Sequence, residues 1–169
     1  MRAAFYGRVS TEEQAERGSI ENQVEFAKKY FDLHGPALNL EGYELYLDDG
    51  VSGAIPIEER PAGAKLMADA KNKKFQAVYV YRLDRLARST LYVLSAYEFF
   101  EKHGIALRSM TEMFDTSTSS GKFFMTMLAS IAALERDTIL ERTQLGKERA
   151  AREGRWISGQ PPFGYRVGD

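Results

Sequence analysis

Short apolar runs alternate with amphipathic stretches along most of this chain, and one long amphipathic stretch closes it. Residues 3–9, "AAFYGRV", are apolar enough over a short enough span to predict a buried strand. Polar "STEEQAERGS" follows. A helix is then expected from about residue 20 to 34, with Val24, Phe26, Ala27, Tyr30 and Phe31 as its apolar positions. "YELYLDD" reads as a second strand closed by Gly50, and the Gly- and Pro-bearing "GVSGAIPIEERP" as an irregular loop. A helix over about 62–73 leads to "QAVYVYR", whose β-branched and aromatic residues mark a third strand. A helix over about 90–103 and a fourth strand, "IALRSM", complete the alternation. Such alternation predicts an α/β fold, with a mostly parallel four- to five-stranded sheet and helices flanking both faces.

After the turn "EMFDTSTSSG" the period changes. From Lys122 to Glu153 no proline interrupts a helical pattern, and Gly154 supplies a stop. Phe123, Phe124, Met127, Leu128, Ile131 and Leu134 form an apolar stripe in its first half; beyond Leu140 only Leu145 and alanines remain. A helix of about 30 residues is ~45 Å long, more than a domain of this size requires, so its distal half is expected to project and meet a partner. The tail "GRWISGQPPFGYRVGD" reads as a linker. The expected organisation is an α/β core over 1–120, a long C-terminal helix over 121–154 and a linker over 155–169.

Composition narrows the chemistry. The 169 residues suit one core, and no apolar run approaches the ~18 residues of a membrane helix, so a soluble, unexported protein is expected. With no cysteine, disulfides, thiolate metal sites and cysteine nucleophiles are excluded. The two histidines, His34 and His103, each precede a glycine, which reads as a helix C-terminus rather than as catalysis or metal binding. A net charge of −1 gives no general attraction for polyanions. Between Arg136 and Arg155, six basic residues stand against four acidic ones, a mixed run typical of a solvated helix face.

In an open parallel sheet the loops at the carboxyl ends of the strands share one crevice. The first strand delivers Arg8 and Ser10 there, the second Asp48, Asp49 and Ser52, the third Arg82, Asp84, Arg85 and Arg88. A hydroxyl beside several guanidiniums suits a phosphate, because arginines bind phosphate oxygens bidentately and stabilise the charge of phosphoryl transfer. Each feature has a plainer reading. Ser10 and Glu13 in "STEE" make a capping box, Asp84 is placed to cap a helix carrying Arg85 and Arg88 on one face, and "DDGVSG" suits a turn. Two other functions remain open at this point: a Mg²⁺-dependent nuclease built on Asp48, Asp49 and Asp84, and an interaction domain assembled through its long helix.

"YGRVSTEEQ", "DDGVSG", "ERPAGAKL", "YRLDRLARS" and "ERDTILERT", in this order, resemble the catalytic domain of the serine recombinases, the resolvase/invertase family. "GRWISGQPPFGY" resembles the junction that follows this domain in the large serine recombinases of phages and mobile elements. The resemblance implies a resolvase-like fold and site-specific recombination through a 5′-phosphoserine DNA intermediate. In that reading Ser10 is the nucleophile, Arg8, Arg85 and Arg88 bind the scissile phosphate, and Asp84 protonates the leaving oxygen. Tyr6, Gln23, Asp49, Ser52, Arg60 and Arg142 fall on supporting active-site positions. It further implies no metal or other cofactor, DNA bound through a full-length protein, dimers and tetramers formed by the helix over 121–154, no membrane, and a cytoplasmic setting.

Overall fold

The computed structural model describes residues 1–11, 19–155 and 163–164. Four strands, β1 (Arg2–Val9), β2 (Gly42–Asp49), β3 (Ala77–Val80) and β4 (Ala106–Ser109), form an all-parallel sheet in the order β2-β1-β3-β4. The helices are α1 (Ile20–His34), α2 (Pro61–Lys71), the single turn α3 (Leu83–Leu86), α4 (Thr90–Lys102) and α5 (Ser119–Arg152), with a 3₁₀ turn at Ile57–Glu59. The chain divides into two compact units, Met1–Ala129 and Ser130–Asp169, and the division falls inside α5.

Strand β1 is apolar on both sides because both sides are covered. Ala3 and Phe5 face α1, packing with Ala27, Phe31 and Tyr79; Ala4 and Tyr6 face the other layer, with Leu66 and Ala70 of α2, Ala96 and Phe100 of α4 and Met125 of α5. The chain crosses from β2 back over β1 to β3, so strand order reverses beside β1. Loops leaving the carboxyl ends of β1 and β3 diverge there and leave a crevice. The outer edge of β4 is covered by a short antiparallel return, in which Arg108 pairs with Asp115 and Ser109 N–H donates to Phe114 O (3.0 Å). Paired edges of this kind do not recruit foreign strands.

Several local expectations need correction. Along α1 the buried positions are Ile20, Gln23, Ala27 and Phe31, while Phe26 lies at the surface against Tyr81. A polar residue occupies the core stripe because its amide has a buried carbonyl to satisfy, as the site shows. His103 and Gly104 do close α4, with Gly104 left-handed (φ +73), but Gly35 after His34 is right-handed (φ −53) and the left-handed turn comes at Asn39 (φ 48). A Cβ on Gly35 would fall 2.4 Å from Phe31 O, so contact rather than handedness selects glycine there. Helix α5 begins at Ser119, ahead of the expected Lys122, because Thr118 Oγ1 accepts from Gly121 N–H (3.1 Å) and caps it. The tail over 155–169 and Glu13 lie outside the described residues, apart from Arg155, Phe163 and Gly164.

Candidate active site

Ser10 stands just past the end of β1, 5% exposed, and Arg88 Nη2 reaches its hydroxyl at 3.4 Å. Arg8, two residues back, is fully buried. Its Nε donates to Arg85 O (3.1 Å) and its Nη1 to Val51 O (2.8 Å), so it ties the loop after β2 to the turn after β3. Gln23 of α1 donates to Arg8 O (2.9 Å), which explains its burial among apolar neighbours. The backbone that presents Ser10 is thus held from three elements.

A second fully buried guanidinium, Arg60, repeats the tie one layer deeper. Its Nη1 donates to Leu86 O (2.6 Å) and to Tyr6 Oη (2.9 Å), while Nε and Nη2 both donate to Ile55 O (2.8 and 2.7 Å). Tyr6 Oη donates in turn to Asp48 Oδ2 (2.8 Å). Consecutive carbonyls of the arginine turn, Arg85 O and Leu86 O, are therefore clamped by different arginines. A buried cation is tolerable only when polar atoms replace its water, and these carbonyls do so. Burial pushes the Tyr6 phenol well above its ordinary range, so it keeps the proton it donates.

Gly53 makes the convergence possible. A Cβ built there would lie 2.9 Å from Arg8 Nη2 and 3.0 Å from Arg88 Cγ, so both arginine side chains pass over the same point of the loop. Gly53 O also accepts from Arg88 N–H (3.2 Å). Sequence reading singled out the surrounding "DDGVSG" without assigning this glycine a role; its signal is a glycine where two guanidinium-bearing loops must approach.

Residues 3–156 match the resolvase N-terminal domain family. The chain belongs to that family. It is 37% identical over 130 residues to a DNA-invertase of Escherichia phage P1, a match covering 77% of this chain and 67% of the invertase. It is also similar to the solved N-terminal catalytic domain of TP901-1 integrase, at 37% identity and a TM-score of 0.70, covering 82% of this chain and 98% of that one. A resolvase family site-specific recombinase from Streptococcus pneumoniae aligns at 29% identity and a TM-score of 0.72, over 90% of this chain and 99% of that one. The chain spans about two thirds of the length of the phage relatives it matches.

In this serine-recombinase catalytic domain the remaining candidates are distributed unevenly. Arg85 and Arg88 do not share a helical face: α3 ends at Leu86, Ala87 is extended, and Arg88 follows on a separate stretch of backbone. Asp84 does not cap α3. It lies within the helix, half-exposed, with Oδ1 3.4 Å from Arg82 Nε and 3.9 Å from Arg85 Nε. The cap comes from Glu112, whose Oε2 accepts from Leu83 N–H (2.9 Å) and Ser109 Oγ (2.9 Å), a long-range contact that local spacing cannot reveal. Ser52 turns its own loop, accepting from Ala54 N–H at 3.2 Å, and Asp49 is exposed at the end of β2. Arg142 belongs to the second unit and is exposed.

Asp48 and Asp49 point apart, as neighbours on a strand must. Asp48 is 2% exposed and its carboxylate is occupied by Tyr6 Oη, Ala62 N–H (2.8 Å) and Gly63 N–H (3.0 Å). That occupancy removes it from any joint metal site with Asp49 and Asp84. Among the described residues no group of three or more His, Asp or Glu side chains is arranged to hold a metal ion.

Proposed function

We propose that this chain is the catalytic domain of a larger site-specific DNA recombinase in which Ser10 is the nucleophile. The observation that carries the reading is the approach of Arg88 to the Ser10 hydroxyl, at the strand-order reversal, on a turn clamped by two further arginines. Ser10 Oγ attacks the scissile phosphorus, forming a P–O bond to serine as the bond from phosphorus to the 3′ oxygen breaks. The serine proton passes to solvent water, and the 3′ oxygen takes its proton from the Asp84 carboxyl in its protonated form, proposed as the acid and recharged from solvent. Arg88 and Arg85 neutralise the charge that grows on the non-bridging oxygens. Arg8, with two donors committed to carbonyls, acts on the phosphate from the floor of the site. One ester replaces another, so a second DNA end can reverse the step without ATP.

The partners proposed are DNA, bound through the full-length protein, and further copies of this chain. Phe123, Met127, Ile131 and Leu134 recur at helical spacing along α5 and are all exposed, an apolar stripe of the kind that assembles helices into dimers and tetramers. No metal takes part in the proposed chemistry.

The test uses the full-length parent with nicked suicide DNA substrates. Wild type is expected to form a covalent adduct mapping to Ser10, undiminished by EDTA; Ser10→Ala is expected to bind DNA and form none. An adduct that persists in Ser10→Ala, or cleavage abolished by EDTA, overturns the reading, the second in favour of a metal-dependent nuclease.

A further inference from the structure

Among the described residues, Asp48 is a buried carboxylate with no cation in direct contact. Its Oδ1 accepts from Ala62 N–H, its Oδ2 from Gly63 N–H and from the Tyr6 hydroxyl. Arg60 is a buried cation that, among the described residues, has no carboxylate in direct contact; its donors go to carbonyls and to the same hydroxyl. The phenol joins them. A guanidinium can only donate and a carboxylate can only accept, whereas a hydroxyl does both, so the order Arg60 N–H to Tyr6 O–H to Asp48 is the one arrangement that satisfies all three. Asp48 also sits at the N-terminus of α2, where the free N–H groups favour a negative charge.

Arg60 in turn holds both supports of Arg88. Its Nη1 is on Leu86 O, two residues before Arg88, and its Nη2 is 3.4 Å from Gly53 O, which accepts the Arg88 backbone N–H. We infer that Asp48 is a positioning residue for DNA cleavage: as the buried counter-charge of Arg60, relayed by the Tyr6 hydroxyl, it fixes the turn that presents Arg88 to Ser10. The inference rests on the reading of Ser10 as nucleophile. An asparagine would keep a carbonyl oxygen for Ala62 N–H, but it would lose the charge and offer a donor where the phenol and Gly63 N–H need an acceptor. Phenylalanine at position 6 removes the relay and leaves the α2 cap whole.

The experiment measures single-turnover adduct formation on a suicide substrate by the full-length parent, alongside DNA affinity and thermal stability, for Tyr6→Phe, Asp48→Asn and the double variant. Assays run well below each variant's melting temperature. Each single change is expected to slow adduct formation about 10- to 100-fold, as misplacement of a catalytic group does, with DNA affinity unchanged within about twofold. The double variant is expected to be no slower than the slower single one, because both break one chain. Wild-type adduct rates in Asp48→Asn, or effects of the two changes that multiply, overturn the inference. Should Asp48→Asn fail to fold, Tyr6→Phe decides it, and an undiminished rate there overturns it. A wild-type parent that forms no Ser10 adduct defeats the proposed function instead.

Discussion

The crevice at the carboxyl ends of β1 and β3 and the exposed stripe of α5 invert the usual partition in opposite ways. In the crevice, charged groups are buried: Arg8, Arg60 and Asp48 have almost no exposure, and carbonyls, a phenol and backbone N–H groups replace their water. On α5, apolar groups are exposed: Leu134 at 67%, Phe123 at 64% and Ile139 at 63%. Burying charge is costly unless polar atoms replace its water, and the crevice supplies most of them within one chain by bringing two loops together. Exposing apolar area is also unfavourable, and among the described residues nothing covers this stripe. The first region is organised within the chain; the second is the face on which the proposed assembly depends.

The largest expected effect breaks the crevice side of that contrast. Arg60→Met leaves Asp48 buried without its counter-charge and releases Leu86 O, so calorimetry is expected to show a loss of about 3–5 kcal/mol of stability. Next, Arg88→Ala removes a guanidinium that reaches the Ser10 hydroxyl while leaving both clamps in place. Adduct formation is expected to fall about 10²–10³-fold, as for other lost transition-state donors, with little change in melting temperature. Gly53→Ala sharpens the comparison further. Its methyl must displace Arg8 or Arg88, and since Arg8 is pinned to two carbonyls, a cost of about 1–3 kcal/mol is expected together with slower cleavage.

The stripe is expected to respond in the reverse pattern. Leu134→Glu should change stability by less than about 0.5 kcal/mol, because the side chain is already solvated, yet shift sedimentation towards smaller species. The mildest test is a control remote from both regions. Lys74, 2.7 Å from Asp69, holds that carboxyl below its ordinary value of 3.8. Its contribution is present above about pH 4 and disappears as pH falls below it, so Asp69→Asn should flatten the acid limb of the stability curve and leave cleavage untouched.

How much of this was legible beforehand differs by level. The inner strands β1 and β3 lie where short apolar runs stand, because a strand covered on both faces must be apolar almost throughout, and that requirement is local; the edge strand β2 keeps one face partly exposed and carries polar residues. Ser10 and Arg88 were legible as companions because strand ends in a parallel sheet converge whatever the intervening sequence. Asp84 and Glu112 show the limit. The capping spacing singled out Asp84, which does not cap, while the residue that caps lies 29 positions away from Leu83 in the chain. Phe26 and Gln23 show it again: helical periodicity assigned the core to the apolar residue, but a buried carbonyl of Arg8 required the amide.

The amino-acid order alone determined which elements form, their alternation and the kinds of side chain that gather at one end of the sheet, because period, turn residues and chain direction act over a few positions. Tertiary structure alone decided that Arg8 and Arg60 each donate to carbonyls of the neighbouring loops, that Asp48 is buried on the Tyr6 hydroxyl and the first N–H groups of α2, and that Gly53 is where the Arg8 and Arg88 side chains pass. Those outcomes depend on distances between atoms 42 to 78 residues apart, such as Tyr6 with Asp48 and Ser10 with Arg88. Only closure of the sheet sets such distances, since hydrogen bonds lose their strength within a fraction of an ångström.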